Sequence, residues 1–310
     1  MAEPQEFPFA RPSLPQRVTV YEVGPRDGLQ NESRIMPLDQ KIELVNRLSR
    51  TGLKRIEAAS FVSPQAIPQM ASASEVMAGI DRAPGVAYIG LVPNERGARD
   101  AIDAGVDEIS VVVSASESHN RSNVNRSVDE SLEAVTGIAA LCRDAGIPWT
   151  GYVSTAFGCP YEGAVDGGAV IRVARRYAEA GAYAVAPGDT IGAGNPKQVY
   201  ELVSRLVAEV PGPQVRLHFH DTYGRALANT VAAMQAGAAQ FDGSVGGLGG
   251  CPYAPGASGN VATEDMVCML QAMGVETGVD LSALLEVTGY VREMIGRPLD
   301  GRVQRALCSE

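Results

Sequence analysis

The chain is short of positive charge, of paired cysteines and of long apolar runs, and each shortage removes a class of function. Its 26 Lys and Arg face 36 Asp and Glu, a net charge of −10. That field repels nucleic acid and anionic membrane surfaces as main partners, so an anionic substrate needs locally placed cations. Five cysteines, Cys142, Cys159, Cys251, Cys268 and Cys308, are odd in number, scattered and without C-x-x-C spacing. The pattern excludes a zinc ribbon and fits a reducing compartment better than a disulfide scaffold. No apolar run approaches the roughly 20 residues of a membrane-spanning helix. The start, M-A-E-P-Q-E-F-P-F-A-R-P, carries acid and proline where a secretory or mitochondrial leader would carry neither. The expectation is a soluble cytoplasmic protein.

What is present is a rhythm. Short β-branched runs alternate with longer helical patterns, and the expected strands are 17–23, 54–58, 86–92, 108–113, 148–153, 183–186, 215–220 and 241–245. Before five of them stands a glycine, Gly52, Gly105, Gly146, Gly181 or Gly237, placed as the residue that ends a helix in the left-handed conformation. Eight βα units, and no G-x-G-x-x-G after the first strand, favour a closed (β/α)8 TIM barrel over a doubly wound open sheet. The expected organisation is an N-terminal arm at 1–16, a barrel at 17–275 and a C-terminal helical extension at 276–310. No composition shift marks a second domain.

In such barrels the chemistry lies where strands end at their C-terminal edge. His218 and His220, two of the three histidines, stand two apart in V-R-L-H-F-H-D and so share a strand face. With Asp27 from G-P-R-D-G and an amide from Asn260, they compose a carboxylate, imidazole and amide set suited to Mg²⁺ or Mn²⁺ rather than structural zinc. Taken singly, Asp27 also reads as a turn residue and Asn260 as a helix N-cap. Arg26 beside a cation implies an anion between them, such as an enolate or alkoxide; alternatively it pairs with Glu57 or Asp189 as a structural bridge. Seven glycines between Phe241 and Asp265 frame Cys251, whose thiol could serve as acid or base if nearby positive charge lowered its pKa. Cys142, Cys159 and Cys268 read as packing residues.

The stretches V-G-P-R-D-G-L-Q-N-E, S-F-V-S-P, P-Q-M, G-D-T-I-G, H-F-H-D-T-Y-G and G-L-G-G-C-P-Y-A-P-G-A-S-G-N-V-A-T-E-D run in order from about Val18 to Met273. They resemble the 3-hydroxy-3-methylglutaryl-CoA (HMG-CoA) lyases of the DRE-TIM metallolyase superfamily. The resemblance implies cleavage of a 3-hydroxyacyl-CoA thioester into acetyl-CoA and a keto acid with Mg²⁺ or Mn²⁺. It assigns Asp27, His218, His220 and Asn260 to the cation and Arg26 to the thioester carbonyl. Cys251 matches the catalytic thiol, His218 and Asp27 take part in proton movement, and Glu57 and Asp189 belong to the inner polar surround. Gln30, Ser60, Asn123, Tyr152 and Thr190 fall at acyl-CoA-contacting positions. A homodimer is implied as well.

Departures bear on the acyl group. Gln65-Ala66 stands for Lys-Trp, Ala186-Pro187 for Ser-Leu, His119 for Phe and Ser33 for Lys. They leave open a related substrate such as citramalyl-CoA. A 2-keto acid condensing acyltransferase shares the barrel and the metal, but such enzymes carry a long C-terminal extension for which this chain has no room. Cys308 resembles a C-terminal cysteine that bridges subunits in some relatives, and also reads as a free tail thiol.

Overall fold

The computed structural model describes residues 14–250 and 259–307, so Cys251 and Cys308 lie outside the described residues. Strands β1 (Thr19–Glu22), β2 (Arg55–Ser60), β3 (Ala87–Leu91), β4 (Glu108–Ser114), β5 (Trp149–Ser154), β6 (Ala184–Asp189), β7 (Gln214–Phe219) and β8 (Gln240–Gly243) close into a barrel in chain order. Every pair is parallel, and β8 returns to β1 in the register Thr19↔Gln240 to Glu22↔Gly243. The barrel expectation holds.

Around it lie α1 (Leu38–Leu48), α2 (Ala73–Gly79), α3 (Glu95–Asp103), α4 (Glu117–Val124), α5 (Val128–Ala145), α6 (Gly167–Glu179), α7 (Pro196–Glu209), α8 (Ala226–Gln235), α9 (Thr263–Ala272), α10 (Leu281–Ile295) and α11 (Arg302–Leu307). No described helix is long and apolar enough to cross a membrane. All five expected cap glycines have positive φ. The core fills the space between strands and helices: on β7 Leu217 and Phe219 join it, alongside Leu44 and Leu48 of α1 and Val203 and Leu206 of α7.

The opposite strand faces carry charge. Glu57, Glu108, Arg216 and Asp242 are each at most 2% exposed, a burial that is tolerable only because they pair across the interior. Arg216 meets Glu108 at 3.3 Å and Asp242 at 3.4 Å.

Some elements differ from the reading. β6 continues through Pro187-Gly188-Asp189, beyond the expected end at 186. Hydrogen bonding in a barrel comes from both neighbours, and Val153↔Pro187 keeps the pairing despite the missing N–H. The extra helix α4 lies between β4 and α5, its first turn capped by Ser116 Oγ accepting from His119 N. The terminal helix α10 packs outside the barrel, against α1 and α9, but the chain beyond it returns to the mouth. There Asp300 N donates to Gly246 O at 3.1 Å, and the Asp265 carboxylate accepts from Arg302 N and Val303 N.

Candidate active site

The site begins with a wide turn, Gly24–Gly28, directly after β1. The Val23 carbonyl accepts from the N–H groups of Arg26, Asp27 and Gly28 at 3.1, 2.7 and 3.2 Å. Three donors on one acceptor hold the turn and aim consecutive side chains into the mouth. Arg26 is buried, its Nε donating to Glu57 Oε2 at 2.6 Å and its Nη1 to Asp27 Oδ1. The partner of Arg26 is therefore Glu57 and not Asp189. A register shift between Glu57 and Ala59 in β2 lies beside that carboxylate, a bulge of the kind that re-aims side chains next to sites.

Across the mouth, His218 on β7 and His220 just beyond its end supply the imidazoles. Asp27, His218 and His220 offer ligand atoms all within 4.8 Å of one another, and His218 Nε2 is 3.9 Å from Asp27 Oδ2. The stretch 259–261 runs back along the end of β7: Val261 N donates to Phe219 O at 3.0 Å and Asp221 N to Gly259 O at 2.9 Å. Asn260 forms an isolated bridge with His220, and its Nδ2 donates to Asp27 Oδ2 at 2.8 Å and to Leu248 O at 3.1 Å. Asn260 is thus not the N-cap of α9, a place held by Ala262.

The donor set fits a hard divalent ion. Asn260 Oδ1 and His220 Nδ1 are buried without hydrogen-bond partners among the described residues, and a native interior rarely leaves such atoms unmatched unless a ligand takes them. His218 Nδ1 lies 3.0 Å from Asp242 Oδ2, the support that metal-binding histidines commonly have. Burial alone would raise the Asp27 carboxyl, but Arg26, followed by His218, holds it well below the usual carboxylate range. Burial, and then the neighbouring His218, push His220 down to about 4, so its ring is neutral and able to ligate at physiological pH. Burial raises Glu57 while Arg26 opposes it.

The remaining expected residues are spread more widely. Asp189 is fully buried, but its Oδ2 accepts from Gly194 N at 2.9 Å. Burial pushes its carboxyl up to about 6. Thr190 Oγ1 accepts from Thr155 N at 2.7 Å. Ser60 is buried at the end of β2, Gln30 is half-buried after the Arg26 turn, and Asn123 is exposed on α4. Tyr152 sends its hydroxyl into the barrel, donating to Asp242 Oδ2 at 2.7 Å.

Sequence reasoning missed three supporting residues. Asp242 and Arg216 are charged residues in otherwise apolar strands, which was the available signal. Glu22 faces outward on β1 and ties the two active loops together: Oε1 accepts from Gly24 N at 2.7 Å and Val245 N at 2.9 Å, and Oε2 from Thr263 Oγ1 at 2.6 Å.

Comparison with known proteins identifies the family. The HMGL-like family profile matches residues 17–291. The mitochondrial hydroxymethylglutaryl-CoA lyase of Gallus gallus is 48% identical over 296 residues, 96% of this chain and 99% of the relative. The crystal structure of the Bacillus subtilis HMG-CoA lyase superposes with a TM-score of 0.94 at 49% identity, covering 96% of this chain and 99% of that one. An HMG-CoA lyase of Acinetobacter baumannii, solved with coenzyme A and 3-methylmalate, gives 0.90 at 41% identity, covering 94% and 95%. By profile, sequence and superposition, this chain belongs to the HMG-CoA lyase family within the DRE-TIM superfamily.

Proposed function

We propose that the chain is a divalent-cation-dependent carbon–carbon lyase that converts HMG-CoA into acetyl-CoA and acetoacetate. The observation that carries this reading is the convergence of Asp27, His218 and His220 on one point, with the Arg26 guanidinium beside them. A bound Mg²⁺ or Mn²⁺ would supply Lewis acidity to the substrate's hydroxyl and carboxylate oxygens.

The chain's own groups account for the rest. Loss of the tertiary hydroxyl proton lets that oxygen form the ketone of acetoacetate while the adjacent carbon–carbon bond breaks. Its electron pair moves into the thioester as an acetyl-CoA enolate. Arg26, fixed by Glu57 and Asp27, is placed to stabilise that oxyanion with a donor that needs no reorganisation. Asp27, beside His218 Nε2, takes the hydroxyl proton, and Cys251, which lies outside the described residues, returns one to the enolate carbon. Proton and electron counts balance without water. Ser60, Gln30, Asn123, Tyr152, Asp189 and Thr190 complete the proposed surround of the acyl-CoA. A homodimer and a cytoplasmic setting belong to the same proposal; sedimentation velocity tests the first.

The decisive experiment incubates Mg²⁺- or Mn²⁺-loaded protein with HMG-CoA and, in parallel, citramalyl-CoA, following acetyl-CoA release. Cleavage of HMG-CoA is expected. Preference for citramalyl-CoA would reassign the acyl group, and turnover of neither would overturn the reading.

A further inference from the structure

Arg216 is fully buried in the barrel, on β7 two residues before His218 and on the same face. Nothing in the chemistry above uses it. Its Nη2 donates to Tyr152 Oη at 2.6 Å and its Nη1 to Glu108 Oε1 at 3.3 Å. Nε stands 3.4 Å from Asp242 Oδ1. The guanidinium carbon is 4.1 Å from the Tyr21 ring centre and 4.8 Å from that of Tyr152, so two aromatic faces hold it in place.

These contacts have a direction. A guanidinium only donates, so the Tyr152 hydroxyl must accept from Arg216 and spend its single proton on Asp242 Oδ2, 2.7 Å away. The same Oδ2 lies 3.0 Å from His218 Nδ1. A carboxylate only accepts, so a neutral imidazole here carries its proton on Nδ1 and its lone pair on Nε2, the nitrogen 3.9 Å from Asp27 Oδ2.

We propose that Arg216 is a positioning residue for His218: it sets the polarity of the chain from Arg216 through Tyr152 to Asp242, and so turns the ligating lone pair of Nε2 toward Asp27. The inference rests on the cation-site reading. Without Arg216, the Tyr152 hydroxyl loses the donor that dictates its direction, and Asp242 Oδ1 loses the cation beside it and can rotate. A mere space-filling role for Arg216 would leave the His218 tautomer alone.

Long-range ¹H–¹⁵N spectra distinguish these cases, and a chain with three histidines keeps them readable. The measurement uses full-length ¹⁵N-labelled protein without added metal, at alkaline pH so that the rings are neutral, together with Mn²⁺ titration followed by electron paramagnetic resonance. Wild-type His218 is expected as the pure Nδ1–H tautomer. Arg216→Met and Tyr152→Phe are expected to show mixed tautomers and Mn²⁺ binding weakened about 10–100-fold, with Arg216→Lys recovering part of the loss. A His218 that keeps a pure Nδ1–H tautomer in either folded variant overturns the proposal. If Arg216→Met does not fold, Tyr152→Phe, which removes one hydroxyl, decides alone. Failure of wild-type protein to bind Mn²⁺ would instead overturn the cation-site reading, and the tautomer spectra would still judge the hydrogen-bond chain.

Discussion

Arg26 and Asp27 are adjacent, share a hydrogen bond and divide the work. Asp27 faces His218 and His220, so Asp27→Ala is expected to weaken Mn²⁺ binding at least about tenfold. Arg26 reaches the cation ligands only through Asp27, so Arg26→Gln should leave Mn²⁺ bound while lowering kcat by about 10²–10³, the usual cost of losing an oxyanion partner. Calorimetric titration beside steady-state kinetics separates the two, and equal metal loss in both variants would contradict the division. A different residue contributes to pH dependence. Glu264 is fully buried, accepts from Gly246 N at 3.0 Å, and is pushed by burial from its ordinary 4.5 up to about 8. Its folded-state pKa lies above the unfolded value, so the native state holds the extra proton between the two. Its contribution to stability is complete below about pH 4.5 and is lost as pH rises through about 8. Thermal melts from pH 5 to 8 should therefore show a fall that Glu264→Gln flattens; an unchanged slope would contradict this.

At the level of elements, the two described ends of the segment after β8 meet at a pair of glycines. Gly249 lies at φ 121, and a Cβ there would sit 2.8 Å from Asn260 Nδ2. A Cβ on Gly259 would overlap the Gly249 backbone. The two arms of the segment touch at this point, which is how Asn260 comes to lie against Asp27. Gly259→Ala should cost about 1–3 kcal/mol in urea unfolding, as overpacking does, and reduce Mn²⁺ affinity; Gly289→Ala in α10, where a Cβ would meet nothing within 4 Å, provides the comparison. Wild-type-like values for Gly259→Ala would show that the arms can part without harm. The glycine richness of this segment was legible from the sequence, whereas the crossing was not, because it depends on contacts between backbones ten residues apart.

For the whole molecule, a cation bound by groups from the turn after β1, the end of β7 and the segment after β8 should stabilise the barrel against global unfolding. Mn²⁺ at about 100 times its Kd is expected to add about 2.7 kcal/mol, seen as a rise in Tm that EDTA reverses and Asp27→Ala abolishes. No shift would mean that the three segments do not share an ion. The primary structure by itself determined the barrel and the cap glycines and pointed to Arg26, Asp27, His218, His220 and Asn260 as candidates, because strand alternation, helix endings and residue chemistry are local properties. Tertiary structure alone decided that Arg26 pairs with Glu57, that Asn260 leaves the helix start to meet Asp27, and that Arg216, Tyr152 and Asp242 stand beneath His218. Closing eight strands sets the stagger between distant side chains, and no local pattern encodes which charged groups then face one another across the interior.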